Sequence, residues 1–226
     1  MKKLLVILVL ITFTAFSFAG FLGSKSVPAN TNSPQKDLDS VNGSVKVGDN
    51  SHVDNLSTVN GSIKVGDNSI VGDVETVNGS IRFGSKVVAQ SAETVNGSVN
   101  LGSGCQIKGD AETVNGAVVA GSGCVIDGKL ETVNGTIQAD NTQIEENVET
   151  VNGKIKLTDG TYVGGDIIVY KPNGFWNGKK KRTEVYLGKN VKVDGDLIFE
   201  RPVKLIVHDT AEYSDIEGDD VDIVKL

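Results

Sequence analysis

The sequence predicts an all-β chain wound as a single-stranded β-solenoid, or β-helix, with triangular coils and parallel, in-register strands. Three observations carry this. Val-Asn-Gly recurs seven times, beginning at Val41, Val59, Val77, Val95, Val114, Val133 and Val151, in steps of 18, 18, 18, 19, 19 and 18 residues. Each copy is followed by an apolar–polar–apolar triplet, as in Ile81-Arg82-Phe83 and Ile155-Lys156-Leu157. That two-residue period marks a strand with one buried face. Finally, Gly, Asn, Asp and Ser punctuate every unit, and β-branched residues fill the inward places. Both features exclude a helix.

The chain opens on a reading of export. Lys2 and Lys3 precede an apolar run at 4–18, and Ser17 and Ala19 are small residues before a cleavage point. Residues 1–19 therefore read as a secretory signal, too short to span a bilayer, and no transmembrane segment is expected after it. Residues 20–37 are rich in Ser, Asn, Pro and Gly and read as a flexible linker. Location is then periplasmic, cell-surface or secreted.

The solenoid is expected over 38–216, as roughly nine or ten coils and a rod of about 45 Å at strand spacing. Each coil holds three short strand segments. Leu56, Val74, Ala92, Ala111, Leu130 and Val148 form one inward column, three places before Val-Asn-Gly. Ile70, Val88, Ile107, Ile126 and Ile144, seven places before it, read as another, broken at His52. The additional residue of the 19-residue coils is expected in the Gly-Ser-Gly-Cys corners at 102–105 and 121–124, where it leaves strand register intact.

The Asn column is Asn42, Asn60, Asn78, Asn96, Asn115, Asn134 and Asn152. In register these amides form a hydrogen-bonded ladder, and the Gly that follows each is expected at positive φ. Cys105 and Cys124 lie 19 residues apart, one coil, so they are expected as stacked neighbours joined by a disulfide. Two thiols without a nearby His supply too few ligands for a metal site.

After Val151 the Gly-Asp-apolar motif returns at 165–167 and 195–197, 30 residues apart instead of 18 or 19. The surplus maps onto a loop at 170–182 holding the sole Trp and the densest basic run. Tyr170, Lys171, Phe175, Trp176, Lys179, Lys180, Lys181 and Arg182 are its candidate contacts for an anionic envelope component or glycan. Residues 217–226 close the chain as an acidic tail. Asp215, Glu217, Asp219, Asp220 and Asp222 do not follow a calcium-loop spacing and are expected as a solvated end that stops strand addition. Glu75, Glu93, Glu112, Glu131 and Glu149 stack as a column of like charge, which solvent screening or bridging divalent cations would ease.

The recurring Gly-Asp-Val-Glu-Thr-Val-Asn-Gly-Ser-Ile string resembles repeats of the bacterial putative-adhesin β-solenoid family. Coil length and the Gly-Asp-Leu-Ile-Phe-Glu-Arg-Pro-Val-Lys-Leu stretch also resemble bactofilins, polymer-forming β-solenoids. The resemblance implies fold and self-association, and supplies no catalytic residue. Bactofilins are cytoplasmic scaffolds, whereas this chain reads as exported. The connections between parallel strands favour a right-handed coil.

Three functions compete on these residues. An exported structural or adhesive rod that self-assembles needs only repetition. A polysaccharide-binding or polysaccharide-acting β-helix needs a groove, and no acid with a raised pKa is singled out for glycoside cleavage. His52 and His208 are isolated in sequence. An ice- or crystal-binding ladder needs Thr58, Thr76, Thr94, Thr113, Thr132 and Thr150 to face outward. No cofactor and no enzymatic activity are expected. The net charge of −7 disfavours nucleic acid as a partner.

Overall fold

The structure, a computed structural model, describes residues 22–31, 37–172 and 182–226. It is all-β, and its coils stack into a solenoid of about ten turns. Among the described residues three sheets form, of ten, eleven and six strands, and every strand pairing within them is parallel. Each coil contributes one strand to each of the two larger sheets. The first face holds the strands ending in Val-Asn, such as Asp73–Asn78 and Leu130–Asn134. The second face holds the triplets that follow, such as Ile81–Phe83 and Lys154–Thr158. The third holds two-residue strands such as Gln106–Ile107.

Pleating divides every triplet in the same way. Ile63, Ile81, Val99, Val118, Ile137 and Ile155 point inward and are buried, while the residue after each points out. Leu56, Val74, Ala92, Ala111, Leu130 and Val148 line the first face from inside. The core is one continuous column, since in-register stacking sets each inward side chain on its equivalent in the next coil.

The third face shifts one expected column. Its buried residues are Val53, Val71, Ala89, Ile107, Ile126 and Ile144. Ile70 and Val88 align with Gln106, and Ile70 is 47% exposed. Counting back from Val-Asn-Gly fails here because the additional residue lies between the third and first faces. Ala89 is three residues from Ala92, but Ile107 is four from Ala111, and the two pairs stack on each other. The extra residue thus belongs to the corner at 108–110, not to Gly-Ser-Gly-Cys. Gly104 and Gly123, at φ 69 and 78, take the same left-handed turn position as Asn50, Asn68 and Lys86, at φ 54, 55 and 57. The Gly-Ser-Gly-Cys corners are ordinary turns with a different residue at that position.

Both ends of the solenoid reach further than expected. Within the expected linker, Lys25–Val27 pairs with Val45–Val47, and Asn30, at φ 62, makes the same turn as Asn50. Residues favoured in linkers are also those favoured in corners. Within the expected acidic tail, Val221–Lys225 pairs with Val203–Val207, and Ile216–Glu217 pairs with the strand Leu197–Phe199. Alternation places Val221 and Ile223 in the apolar column above Val203 and Leu205, and sets Asp222 opposite Lys204. Carboxylates on the outward positions do not prevent a strand whose inward positions are apolar.

Candidate functional site

The repeated residues meet at the corner between the first and second faces. Each Asn side chain there donates through Nδ2 to Oδ1 of the Asn one coil earlier, from Asn60 to Asn42 at 3.0 Å through to Asn152 to Asn134 at 3.0 Å. All seven residues belong to this one ladder, as the sequence leads one to expect. The Gly after each Asn is not at positive φ. Its reason is steric: a Cβ on Gly79 would overlap the carbonyl of Gly61, and one on Gly97 that of Gly79. Stacking, not backbone conformation, demands glycine here.

The Thr column faces inward. Thr58, Thr76, Thr94, Thr113 and Thr132 are buried, and each Oγ1 donates to the carbonyl of the Val-Asn-Gly glycine one coil earlier, at 2.8–3.0 Å. A buried polar group must find a partner, and this one closes the corner from inside. An outward ice-binding ladder is thereby excluded for these residues. The Gly-Asp motif has its role in the next corner. At the corner between the third and first faces, a side-chain oxygen accepts the backbone N–H of the equivalent residue in the next coil: Asn55 from Asp73 at 2.8 Å, Asp110 from Lys129 at 2.9 Å, Asp166 from Asp196 at 2.8 Å. The signal was available as an Asp/Asn column just before the first face.

Cys105 and Cys124 stack but remain free thiols. Their column also holds Ser51, Ser69, Thr142 and Thr161, all buried. Ser69 Oγ donates to the carbonyl of Gly48 at 3.0 Å, and the two Sγ atoms do the same to Gly84 and Gly102 at 3.1 Å. The expected disulfide fails for a geometric reason. In-register stacking separates equivalent atoms by about 4.8 Å with both Cβ atoms pointing the same way, whereas an S–S bond is about 2.05 Å long. The hydrogen-bonding contact with Cys124, then burial, pushes the Cys105 thiol up.

The insertion falls at the corner where the Asn ladder would continue. Thr150 and Ile155 are five residues apart, and their partners in the next coil, Val169 and Val185, are sixteen apart. Phe175, Trp176, Lys179, Lys180 and Lys181 lie outside the described residues. The loop's two posts are tied to the rod. Tyr170 OH donates to Glu149 at 3.1 Å, and burial, then the Glu149 charge, raises its pKa. The backbone N–H of Lys171 donates to Glu200 at 3.2 Å. Arg182 pairs with Asp220 at 2.6 Å and donates to the carbonyl of Val203. Arg201, from the following coil, reaches back across the insertion. Its Nη1 lies 2.7 Å from both the Val151 carbonyl and Asn152 Oδ1, so it ends the ladder.

The Glu column is the most electrostatically loaded part of the rod. Glu75, Glu93, Glu112, Glu131 and Glu149 pair in register. Glu112, Glu131 and Glu149 are only 8%, 3% and 6% exposed. Lys129 sits between Glu112 and Glu131, at 3.0 and 2.6 Å. Burial disfavours its charge, but the hydrogen bonds to Glu131 and Glu112 outweigh burial and raise its pKa. Burial, then the neighbouring Glu112 and Glu75 charges, pushes Glu93 up to about 7. Glu131 also rises to about 7, mainly by burial, although Lys129 opposes the shift. Among the described residues, no three or more acidic, His or Cys side chains are arranged to hold a metal ion.

No protein-family model, no curated protein and no solved structure matches this chain. Among the described residues, no helix is long and apolar enough to cross a membrane.

Proposed function

We propose that this chain is an exported, non-enzymatic structural or adhesive rod of a bacterial cell envelope, able to associate with further copies through its coil ends. Kinship with the putative-adhesin or bactofilin-like solenoids is part of this reading and rests on the repeated string quoted above. One observation carries the proposal: the recurrent polar residues are consumed by stacking. The Asn amides bond along the ladder, the Thr hydroxyls bond glycine carbonyls, and the corner Asp and Asn oxygens bond the next coil's amides. A sequence that devotes its recurrent polar chemistry to holding coils together is building an object of fixed surface.

Association is supported by the C-terminal end. Val221–Lys225 is the last strand of the second face, with Ile223 45% and Leu226 57% exposed. An edge strand with exposed apolar residues is a template for another chain. Export rests on Lys2, Lys3 and the apolar run at 4–18. The test is the assembly state by light scattering and negative-stain microscopy over a concentration series, with fractionation of expressing cells. Filaments or ordered stacks in an envelope fraction are expected. A strict monomer that partitions with no envelope fraction overturns the reading.

A further inference from the structure

The second face carries an unbalanced row of positive charge. Lys46, Lys64 and Arg82 occupy one outward position in three successive coils, Lys46 paired with Lys64 and Lys64 with Arg82 in register. All three are exposed, and among the described residues none of their side chains has a hydrogen-bond or ion-pair partner. Strand spacing places them about 4.8 Å apart at the backbone, so the row repels itself. Folding does not require it, because Asn100 and Gln138 hold the same outward position in later coils. Some cations elsewhere are compensated, Lys129 by Glu112 and Glu131, Lys154 by Glu184 and Lys192 by Asp194, and others, such as Lys86 and Lys108, stand exposed singly and not as a row. On a chain of net charge −7, three adjacent unpaired cations have to be accounted for.

Two further features adjoin the row. Ser44, Ser62 and Ser80 lie two residues before the three cations, just ahead of each strand; the Oγ atoms of Ser62 and Ser80 accept the backbone N–H of Ser80 and Ser98 at 3.4 and 3.2 Å, which leaves their hydroxyl hydrogens to donate. An open hollow of about 560 Å³ runs along its start, lined by Ser26, Pro28, Lys46, Gly48, Asp49 and Lys64. The Asp49 carboxylate, part of that lining, accepts the Asp67 backbone N–H at 2.9 Å.

We propose that this row is a binding site for a linear acidic polysaccharide with one carboxylate per sugar, lying along the rod axis across the strands. Such a polymer presents one anion per monomer at a spacing near that of the coils, and its hydroxyls meet the Ser row. Polyphosphate, with one charge per phosphate and only a bridging oxygen between neighbours, carries its charges more densely than one per sugar and is out of step with the cations. The site goes beyond the envelope-rod reading and does not need the rod to assemble, which light scattering on the same samples reports separately.

The test is binding of polygalacturonate to the full chain by calorimetry at low and moderate salt, with dextran and polyphosphate as comparison polymers. Expected are binding that weakens with salt, no response to dextran, and weaker binding of polyphosphate. The variant K46Q/K64Q/R82Q should bind polygalacturonate at least tenfold more weakly with a shallower salt dependence. Lys156→Gln, farther along the same face, should stay within twofold of the parent. If the triple variant does not fold, Lys64→Gln alone should weaken binding in the same direction. No binding to polygalacturonate at low salt, equal binding by the variants, or tighter binding of polyphosphate would each overturn the proposal.

Discussion

Glu93 offers a direct measure of what stacked carboxylates cost. It lies between Glu75 and Glu112 in register, with Asp73 and Asp110 nearby, while Lys129 reaches Glu112 and Glu131 but not Glu93. Its pKa rises from 4.5 to about 7. At about 1.36 kcal/mol per pK unit this is at most about 3–4 kcal/mol of penalty on the ionised form. Glu93 is only partly buried, so solvent screening reduces the figure to about 1–2 kcal/mol. The folded chain binds the proton more tightly than the unfolded chain. Stability is therefore greatest below the unfolded value near 4.5 and is lost as pH rises toward 7. Replacing Glu93 by Gln removes the charge and keeps the shape. Glu93→Gln should be about 1–2 kcal/mol more stable than the parent at pH 7.5, or roughly 2–8 °C in Tm for a chain of this size. At pH 4.5 most of that difference should be gone. Circular-dichroism melts between pH 4 and 8 read both arms. Parent stability that climbs from pH 5 to 7.5, or a variant destabilised equally at both extremes, would refute the reasoning.

Three other expectations follow from the corners. Asn96→Ala removes one donated and one accepted ladder bond, each 2.9 Å; at an exposed corner the loss should be about 1–2 kcal/mol by urea unfolding. Gly97→Ala forces a Cβ into the Gly79 carbonyl and should cost more than about 3 kcal/mol or prevent folding, whereas Gly104→Asn should stay within about 1 kcal/mol, since Asn50 and Asn68 hold that turn elsewhere. Both cysteines should react with a thiol reagent only after denaturation, under non-reducing conditions, and Cys105→Ser should be nearly neutral because Ser69 makes the same bond to a coil below.

Much of the fold was legible because the chain repeats itself. A pattern that recurs seven times averages out local ambiguity, so strand parity, parallel register and the Asn ladder could be read from Val41 onward. Errors arose where the repeat is counted across a length change. The additional residue at 108–110 displaced the Ile70–Val88 column by one place. Residues 25–27 read as linker because corners and linkers share a composition, and residues 221–225 read as a cap because of their acidity. The basic row of Lys46, Lys64 and Arg82 was visible as the polar centre of each triplet, but only as the polar half of an alternation. Nothing in the sequence says which cations lack a partner.

By itself the sequence determined the architecture, since period and alternation are local properties that each coil repeats. Only the tertiary structure decided what each polar column does, because that depends on which atoms of one coil meet the next. The Thr hydroxyls turn inward to glycine carbonyls, the thiols stack one strand spacing apart and stay unbridged, and Lys129 enters the Glu column. Each outcome is set by the spacing and direction of side chains held in parallel register, a relation between coils that no single repeat contains.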